Sequence, residues 1–510
     1  MNKTTRFSYL YELMDSVGVI IPDKYRKIKI SGVKSDSREI MRGDLFVGLP
    51  GTKYDGGMFF KEAFSAGAEA VLISKVIQNS IKYKENKPII FISENIEKVL
   101  GDAASKFWGE PSSKLKLIGV TGTNGKTTLA HLIEHITISL GYPTALFGTL
   151  YNRWPGYKIE STHTTVFADK LQFYLSKAVN AGAQFAVMEV SSHALAQNRV
   201  SGCKFSGVIF TNLSQDHLDY HISMKNYFEA KRLLFEKPLF EFSKTKPVVN
   251  IDNEWGQDLA KYLDNRCWKC SLEDRSSDFY IVDYRETKQT VNCLIRTPFG
   301  EGNLVSPLIG KYNLMNALQA VGSLIQYEIP LEKILSGLKS FKGVPGRLER
   351  IILPRSTEKT EHKLPIVLVD YAHTPDGLKN ALIACRTLAN KKLICVFGCG
   401  GDRDRLKRPQ MGLIASTLSD YIVLTSDNPR TEDPSEIISE IIKGIKYKNN
   451  LIIKPNRAEA IASAINESSS NDVVLIAGKG HENYQIIGDK RIHFDDREIA
   501  RECLLKYLEN

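Results

Sequence analysis

The segment LKLIGVTGTNGKTTLAHLIEHITISLG, residues 115–141 of the 510-residue chain, predicts a strand, a loop and a helix in succession. LKLIGV is typical of a buried strand, and TLAHLIEHITISLG carries apolar residues at helical spacing up to Gly141, a residue type that often follows a helix. The loop ends in Gly125, Lys126 and Thr127, as the standard phosphate-binding loop does, but Val120 stands where that motif has its first glycine. The segment therefore predicts a nucleotide-binding domain with a parallel sheet and a variant phosphate loop.

The residues of this loop suit phosphate binding. Gly122 and Gly125 allow backbone N–H groups to converge on phosphate oxygens, and the N-terminus of the following helix adds a favourable dipole. We expect Lys126 to reach the β- and γ-phosphates and Thr127 to offer its hydroxyl to Mg²⁺. The alternative, a glycine-rich turn with a surface lysine, explains neither the strand before the loop nor the helix after it. The predicted ATP-binding residues of the loop are Gly122, Thr123, Asn124, Gly125, Lys126, Thr127 and Thr128.

Length and composition indicate a multidomain globular protein. Hydrophobic residues make up 43% of the chain and charged residues 25%, and 510 residues exceed what one core usually holds. No segment approaches the roughly 20 apolar residues that span a bilayer, and no signal-like run follows the N-terminus, so we expect a cytoplasmic protein without membrane insertion. The formal charge of +10 is spread along the chain, which argues against nucleic-acid binding and suits small polyanionic ligands.

Alternating strand and helix patterns predict three domains, at residues 1–108, 109–345 and 346–510. The first is a small α/β domain with strands such as AVLIS and PIIFIS. In the second, QFAVMEV and FSGVIFTNL end in polar residues, where open parallel sheets bind ligands. In the third, the runs PIVLVDYAH, KKLICVFGCGGDRDR, DYIVLTSDNPR and DVVLIAGKGHE predict a second doubly wound sheet, with a charged loop at residues 355–363.

Two short patterns are weaker signals. GCGGDR, residues 398–403, is similar to a dinucleotide fingerprint, but Arg403 stands where the third glycine is required, which argues against NAD binding. Cys267 and Cys270 form one C-x-x-C without a second pair, so reduced core thiols are favoured over a zinc or redox site.

Three further residues are candidates for phosphoryl chemistry. Glu189, at the end of a predicted strand, is placed to hold Mg²⁺ beside the phosphates, although a strand-end acid at the surface is the simpler alternative. His217 taken singly is more typical of a capping or hydrogen-bonding histidine, and Lys231 of an ordinary helix lysine. None of the three identifies a reaction by itself.

Taken together, the motifs resemble those of the Mur ligase family. GTNGKTT, MEVSSH, DH…H, a lysine before an apolar helix turn, NLMNALQA, PGRLE, DYAHTPD, DNPR and GKGHE occur in this order between Asp36 and Arg497. The resemblance explains the variant loop, because T-G-T-N-G-K-T-T is the form that this family uses. It implies a small N-terminal α/β domain for the uridine nucleotide, a central P-loop ATPase-like parallel-sheet domain and a C-terminal Rossmann-like domain.

The resemblance also implies an activity. The family transfers the γ-phosphoryl group of ATP to a carboxylate, and an amine then attacks the acyl phosphate to give an amide, ADP and phosphate. The implied member adds a third residue to UDP-N-acetylmuramoyl-L-alanyl-D-glutamate in peptidoglycan biosynthesis, and so serves cell shape and division as a monomer. The catalytic residues by resemblance are Lys126, Glu189, His217, Lys231 and Arg347. Those that hold Mg²⁺ are Thr127, Glu189, His217 and Lys231, the last as a carbamate.

Further binding residues follow from the same resemblance. The adenine or ribose contacts are Asn313, Asn316 and Asp370, with His373 beside them. The contacts of the UDP-N-acetylmuramoyl-dipeptide are Ser35, Ser37, Thr164, Thr165, Ser191, Gln197, Arg199 and Lys231. One departure concerns the residue after the two threonines, where the family usually has proline and this chain has Val166.

The form DNPR, residues 427–430, resembles the version of the motif that selects meso-diaminopimelate. This amino acid differs from lysine by a second carboxylate, which a guanidinium grips through two parallel hydrogen bonds. The implied diaminopimelate-binding residues are Arg403, Asp427, Asn428, Pro429, Arg430, Gly478 and Glu482. The alternatives are the same ligase adding L-lysine, a folylpolyglutamate-type ligase, and a nucleotide-binding protein that has lost the reaction. The last would be expected to have lost Lys126, Glu189 or Lys231.

Overall fold

The computed structural model describes residues 9–51, 54–81, 87–93, 95–242, 245–287, 290–353, 362–447 and 449–509. Most of the predicted charged loop at 355–363 lies outside these ranges. The described residues form three α/β units, and the expectation of a three-domain α/β architecture with parallel sheets is confirmed. None of the described helices is both long and apolar enough to cross a membrane.

The N-terminal unit contains a four-stranded parallel sheet whose spatial order follows the chain. Its strands are β1 Gly32–Lys34, β2 Asp44–Gly48, β3 Ala70–Ser74 and β4 Ile89–Ile92. Its helices are α1 Leu10–Ser16, α2 Phe60–Ser65 and α3 Ile96–Phe107. Strand β2 is buried along its whole length, as continuous apolar runs in parallel sheets usually are.

The central unit is built on an eleven-stranded sheet with the order β15-β14-β13-β12-β11-β10-β5-β9-β6-β7-β8. Its strands are β5 Lys116–Thr121, β6 Thr144–Phe147, β7 Tyr151–Trp154, β8 Tyr157–Glu160, β9 Phe185–Glu189, β10 Gly207–Phe210, β11 Val248–Asn250, β12 Trp268–Ser271, β13 Phe279–Glu286, β14 Val291–Thr297 and β15 Gly300–Ser306. Its helices are α4 Lys126–Ser139, α5 Ala168–Asn180, α6 Ser192–Ala196, α7 Leu218–His221, α8 Met224–Arg232, α9 Glu254–Leu263, α10 Lys311–Leu324 and α11 Leu331–Lys339.

Strands β6 and β9–β13 join β5 in the parallel part of this sheet, and both edges are antiparallel. Hairpins add β7 and β8 at one edge and β14 and β15 at the other. The sequence analysis did not predict these extensions. A signal was present in VNCLIRT, residues 291–297, whose side chains alternate between buried and more exposed positions.

The C-terminal unit contains a six-stranded sheet with the order β16-β17-β21-β18-β19-β20, parallel except for β16, and a separate hairpin of β22 and β23. Its strands are β16 Glu349–Arg350, β17 Ile366–Asp370, β18 Leu393–Phe397, β19 Tyr421–Leu424, β20 Leu451–Ile453, β21 Val473–Ala477, β22 Tyr484–Ile487 and β23 Lys490–His493. Its helices are α12 Pro375–Arg386, α13 Lys407–Leu418, α14 Pro434–Ile442, α15 Arg457–Asn466 and α16 Asp496–Glu509.

The carboxyl ends of the central and C-terminal parallel strands open onto one cleft of about 780 Å³. Side-chain hydrogen bonds join the two units around it, from Asn124 to Asp376 at 3.0 Å and from Gln215 to Asp404 at 3.3 Å. Because ligands of open α/β sheets bind at the carboxyl ends of the strands, this arrangement places two binding edges face to face.

Candidate functional site

The phosphate loop runs from the end of β5 to the start of α4. Gly122 has φ +146° and Gly125 has φ +87°, backbone conformations that favour glycine. A Cβ atom at Gly122 would collide with Thr211 Oγ1, and one at Gly125 would lie 2.7 Å from Asn316 Oδ1. No side chain caps the first turn of α4, so its N–H groups are available to an anion.

Lys126 folds back over this loop. Its Nζ donates hydrogen bonds to the carbonyl oxygens of Gly122, at 2.9 Å, and Thr123, at 2.8 Å. Burial lowers the pKa of the Lys126 ammonium, and the carboxylates of Glu189 and Asp216 partly oppose that shift. A bound phosphate would compete with the two carbonyls for the same ammonium and would restore a charged partner.

Glu189 is buried at the end of β9, with only 1% of its surface exposed, and is not the surface acid of the simpler alternative. Its carboxylate accepts hydrogen bonds from Thr127 Oγ1 at 2.8 Å, from Thr149 N at 2.8 Å and from Thr149 Oγ1 at 3.0 Å. Arg347 Nη2 donates to Thr127 Oγ1 at 3.1 Å. The structure therefore brings Thr127, Glu189 and Arg347 together beside the phosphate loop.

Lys231, on α8, reaches the same loop from the other side. Only 1% of its surface is exposed, and its Nζ donates to Gly122 O at 2.8 Å and lies 4.6 Å from the centre of the Tyr227 ring. Burial, reinforced by the charge of Lys126, holds the pKa of Lys231 well below its ordinary value. A neutral amine is the form that reacts with CO₂, so the surroundings suit the carbamate that the resemblance implies.

His217 lies beside a buried carboxylate that the sequence analysis missed. Asp216 Oδ2 is 3.4 Å from His217 Nε2 and 3.8 Å from His373 Nε2 of the C-terminal unit. Burial alone would raise the pKa of Asp216, but His373 and His217 outweigh it and the pKa is lowered. Burial lowers the pKa of His217 to about 3. The signal for Asp216 was its place directly before the histidine in QDHLDYH.

The donor set near the loop suits a hard cation. The described residues contain no group of three or more His, Cys, Asp and Glu side chains arranged around a metal position. Mg²⁺ commonly binds through one or two carboxylates and completes its shell with phosphate oxygens and water. Glu189 and the Thr127 hydroxyl supply oxygen atoms of that kind, whereas His217 is a less usual magnesium ligand.

The predicted adenine and ribose contacts line a small pocket of about 110 Å³ next to the phosphate loop. Asn316 Nδ2 donates to Asn313 Oδ1 at 3.3 Å, and Asp370 Oδ2 accepts from Leu348 N at 2.7 Å. Burial raises the pKa of Asp370. Gly125 and Thr128 line the same pocket, so the structure brings these predicted residues together. Further polar residues that line this pocket were not predicted from the sequence, among them Asn250, Tyr312 and Asn380.

The 780 Å³ cleft has two walls. The central wall includes Thr149, Thr164, Asp216 and His217. The C-terminal wall includes Arg403, Lys407, Asn428, Arg430, Gly478 and Glu482. Asp427 also lines the cleft, whereas Pro429 does not. Lys407, Tyr484 and Arg491 line the C-terminal wall and were missed by the sequence analysis.

The DNPR segment is held by backbone and side-chain contacts. Arg430 has φ +52°, donates from its backbone N to Ile486 O at 3.1 Å and donates from Nη1 to Gly401 O at 2.6 Å. Burial and then the charge of Arg403 lower the pKa of the Arg430 guanidinium. Two guanidinium groups close together in one wall would be suited to bind a carboxylate.

The remaining polar groups of this segment surround Asn428. Its Nδ2 donates to Glu482 Oε2 at 2.9 Å, and its Oδ1 accepts from Lys479 Nζ at 3.2 Å and from Ile486 N at 3.0 Å. Gly478 has φ +118°, and a Cβ there would lie 2.6 Å from Asp427 Oδ2. The structure thus groups the predicted diaminopimelate-binding residues on one wall, apart from Pro429.

The predicted muramoyl-peptide contacts form a connected strip behind Glu189. Thr165 Oγ1 donates to Glu189 O at 2.8 Å and accepts from Ser191 N at 3.1 Å. Arg199 donates to Thr165 O at 3.0 Å and to Gln197 Oε1. Thr164 Oγ1 accepts from Thr149 Oγ1 at 3.2 Å.

Val166, the departure from the family pattern, is a core residue. Its side chain is buried in the hydrophobic cluster that contains residues of β9 and α5. The hydroxyls of Thr164 and Thr165 both keep hydrogen-bond partners in its presence.

Ser35 and Ser37 lie outside the 780 Å³ cleft. Ser35 donates from N and Oγ to Asp169 Oδ2, at 2.8 and 3.0 Å, across the joint between the N-terminal and central units. Ser37 begins the short 3₁₀ helix Ser37–Glu39, which Asp36 caps. The sequence analysis missed Asp169, whose other carboxylate oxygen is buried without a partner among the described residues.

Comparison with known proteins follows the same division of the chain. Three family models match: "Mur ligase family, catalytic domain" at residues 29–108, "Mur ligase middle domain" at 120–324 and "Mur ligase, glutamate ligase domain" at 346–480. The chain belongs to the Mur ligase family. The models cover the three units of this Mur ligase, including the phosphate loop and the DNPR segment.

Full-length relatives of this Mur ligase carry one name, UDP-N-acetylmuramoyl-L-alanyl-D-glutamate–2,6-diaminopimelate ligase. The protein of Parasynechococcus marenigrum strain WH8102 is 50% identical over 97% of this chain and 98% of its own. That of Nostoc sp. strain PCC 7120 is 46% identical over the same shares. A solved structure of the same name is 31% identical, with a TM-score of 0.68 and coverage of 98% and 99% of the two chains.

Proposed function

We propose that this Mur ligase joins meso-diaminopimelate to UDP-N-acetylmuramoyl-L-alanyl-D-glutamate with the hydrolysis of ATP to ADP and phosphate, a step of peptidoglycan biosynthesis. The observation that carries the proposal is a single cleft with Thr149, a partner of Glu189, on its central wall and Arg403, Arg430 and Glu482 on its C-terminal wall. Full-length relatives that are about 50% identical and are named diaminopimelate-adding ligases support it.

The first step places two anions together, because the γ-phosphate of ATP and the substrate carboxylate repel each other. Lys126, Arg347 and the N–H groups of the first turn of α4 supply positive charge on the phosphate side. Fixed donors directed at developing charge stabilise such transition states strongly. Mg²⁺, held through Thr127, Glu189, His217 and the carbamate of Lys231, would neutralise the phosphate oxygens.

The second step needs an amine opposite the activated carboxylate. The C-terminal wall faces the central wall across the cleft, so an amino acid held by Arg403, Arg430 and Glu482 points its free amine toward the phosphate side. Attack on the acyl phosphate forms the amide and releases phosphate. Holding both reactants in one enclosed cleft supplies the proximity that this step requires.

Specificity for diaminopimelate rests on the far carboxylate. Bound lysine would leave Arg430 and Arg403 facing each other without an anion, and an unpaired charge in a half-buried site costs about 1–3 kcal/mol. Glu482 offers its carboxylate to the far ammonium, although Lys479 and Asn428 share that group in this structure. L-lysine is therefore the weaker substrate.

The testing experiment follows phosphate release from MgATP with UDP-N-acetylmuramoyl-L-alanyl-D-glutamate, with meso-diaminopimelate or L-lysine as the amine. We expect release and tripeptide formation with diaminopimelate well above those with lysine. Lys126→Met serves as the inactive control and Lys443→Met, at an exposed position of the C-terminal unit, as the matched active control. Equal turnover with lysine would overturn the specificity, and no turnover with either amine would overturn the ligase.

A further inference from the structure

Lys407 is a cation of the C-terminal wall for which the proposed reaction has no role so far. It is the first residue of α13, and only 6% of its surface is exposed. It lines the 780 Å³ cleft. Within the part of the chain that the structure describes, no acceptor lies within hydrogen-bond distance of its Nζ and no carboxylate within ion-pair distance. A largely buried lysine that faces a cleft without a protein partner for its ammonium suits an anion bound in that cleft during function.

The carboxylates around Lys407 are committed elsewhere. Asp216 lies against His217 and His373, and Asp404 accepts from Gln215 and from Leu406 N. Glu482 accepts from Asn428 and Lys479. These carboxylates line the same cleft as Lys407 and are bonded to other groups of the protein, which leaves a ligand as the candidate partner of Lys407.

The position of Lys407 lies between the two halves of the reaction. Burial raises the pKa of the Cys399 thiol on the C-terminal wall to about 12, and Lys407 is the cation that opposes this shift most. The same charge acts on Asp216 of the central wall, after burial and the two histidines. Lys407 lies on the segment that follows Arg403, and it lines the same cleft as Asp216 and His217 of the central unit.

Diaminopimelate has two carboxylates, one at each end. The far one is assigned to Arg403 and Arg430. The near one is bonded to the same carbon as the reacting amine, so it must lie close to the acyl phosphate when the amine attacks. We propose, on the basis of the proposed ligase function, that Lys407 binds the near carboxylate of the incoming amino acid and so positions the amine for attack. Lys407 binds the carboxylate next to the reacting α-amine, which diaminopimelate and lysine share. Arg430 binds the far carboxylate, which only diaminopimelate has.

Lysine can test the two carboxylate subsites separately, because it has one carboxylate. That carboxylate is near the reacting amine in one linkage and far from it in the other. Linked through its α-amine, lysine presents the near carboxylate and lacks the far one. Linked through its ε-amine, it lacks the near carboxylate and presents the far one. The two linkage products have equal mass and are separated by chromatography and peptide fragmentation, so the acylated nitrogen is assigned directly.

The experiment compares wild type, Lys407→Met, Arg430→Met and the matched control Lys443→Met. The substrates are meso-diaminopimelate and the L and D forms of lysine, each tested at high concentration. We expect Lys407→Met to raise the KM for diaminopimelate about tenfold or more, with the KM values for ATP and the UDP-dipeptide changed less than twofold. We expect it to lower the α-linked to ε-linked product ratio about tenfold, and Arg430→Met to raise that ratio. Lys407→Arg should recover most of the diaminopimelate activity.

Several results would overturn the inference. A fall in kcat by the same factor with every amine, including lysine that reacts through its ε-amine, would mean that Lys407 contacts the phosphate instead of the amino acid. Unchanged kinetics of Lys407→Met would remove its role altogether. If Lys407→Met does not fold, as judged by thermal unfolding and ADP binding, Lys407→Gln is judged by the same product ratio. Wild-type protein without turnover on diaminopimelate would instead contradict the proposed function, so the two failures are distinguishable.

Discussion

The surroundings of the phosphate loop and the C-terminal wall of the cleft hold their charged groups in different ways. On the phosphate side, Lys126, Glu189 and Lys231 come from regular helices and a strand end, and each is hydrogen-bonded within the protein. On the C-terminal wall, Arg403 and Arg430 lie on loops, and Arg430 has a positive φ. We propose that the phosphate side is preorganised for a reaction common to the family, whereas the C-terminal wall uses loops that can differ between substrates.

The strongest test of this contrast is Lys231→Met. Because Lys231 is buried against the phosphate loop, its loss should lower kcat by about 100- to 1000-fold, the range seen when a fixed charge-stabilising group is removed. Phosphate release at saturating substrates measures the effect. Lys225→Met, an exposed lysine on the same helix, is the matched control and should keep wild-type activity. A similar loss of kcat in both variants would mean that a disturbance of α8, and not the loss of the Lys231 amine, lowers the activity.

The framework behind the C-terminal wall depends on a fully buried ion pair. Arg457 meets Asp496 through two 2.7 Å contacts and donates to Ala477 O at 3.0 Å, at the end of the strand that leads to Gly478. Arg457→Met should lower the free energy of unfolding by about 3 kcal/mol, because Asp496 is left buried without its partner. Chemical denaturation measures this loss. The double variant Arg457→Met, Asp496→Leu should recover part of it, and no recovery would mean that the carbonyl contacts dominate.

Arg430→Met tests the selective role of the C-terminal wall. It should reduce the preference for diaminopimelate over L-lysine, expressed as the ratio of kcat/KM values, by about tenfold or more, since a charge-assisted contact to the far carboxylate is lost. The KM for ATP should stay unchanged. Arg386→Met removes an exposed ion pair with Asp420 in the same unit and serves as the control. An ATP defect in Arg430→Met would mean that the two walls are not separate in function.

A smaller effect is expected from Glu432, which anchors the loop of Arg403 through Arg408 and Asp402 N. The hydrogen bond from Arg408, opposed by burial, lowers the pKa of Glu432 to about 2. A folded-state pKa below the unfolded value of about 4.3 stabilises the protein above that pH, and the stabilisation is lost as the pH falls toward 2. Glu432→Gln should therefore be about 2 kcal/mol less stable near neutral pH.

Denaturation curves at several pH values check this prediction. The difference in unfolding free energy between wild type and Glu432→Gln should shrink as the pH falls from about 4 toward 2. If the difference in unfolding free energy does not change with pH, the loss of stability in Glu432→Gln comes from altered packing and not from the lost charge.

The sequence predicted the strand, loop and helix around Lys126 better than the elements that surround them, for a physical reason. The signal of the phosphate loop is local, because strand, glycines, Lys126 and helix are consecutive. The strands β14 and β15 were missed because alternation within a hairpin is a weak signal beside the long parallel runs. Asp216, Asp169 and Lys407 were missed because the surroundings that suggest a role for each come from residues distant in the chain. Asp216, for example, lies beside His373 of the C-terminal unit.

The arginines of the C-terminal wall were found only through the resemblance of DNPR to a known motif. No single-sequence rule brings Arg403, Arg430 and Glu482 to one surface, since they follow three different strands. Ser35 shows the limit of such transfer: its hydroxyl donates to Asp169 at the domain joint, a contact that no pattern in SDSREI indicates.

The most direct test of the account is the ratio of ligase rates with meso-diaminopimelate and L-lysine, measured by phosphate release together with isolation of the tripeptide product. The account predicts a fast reaction with diaminopimelate, at least tenfold above lysine in kcat/KM, and loss of that preference in Arg430→Met. Turnover that is equal for the two amines in the wild-type enzyme, or a preference that survives in Arg430→Met, would contradict it.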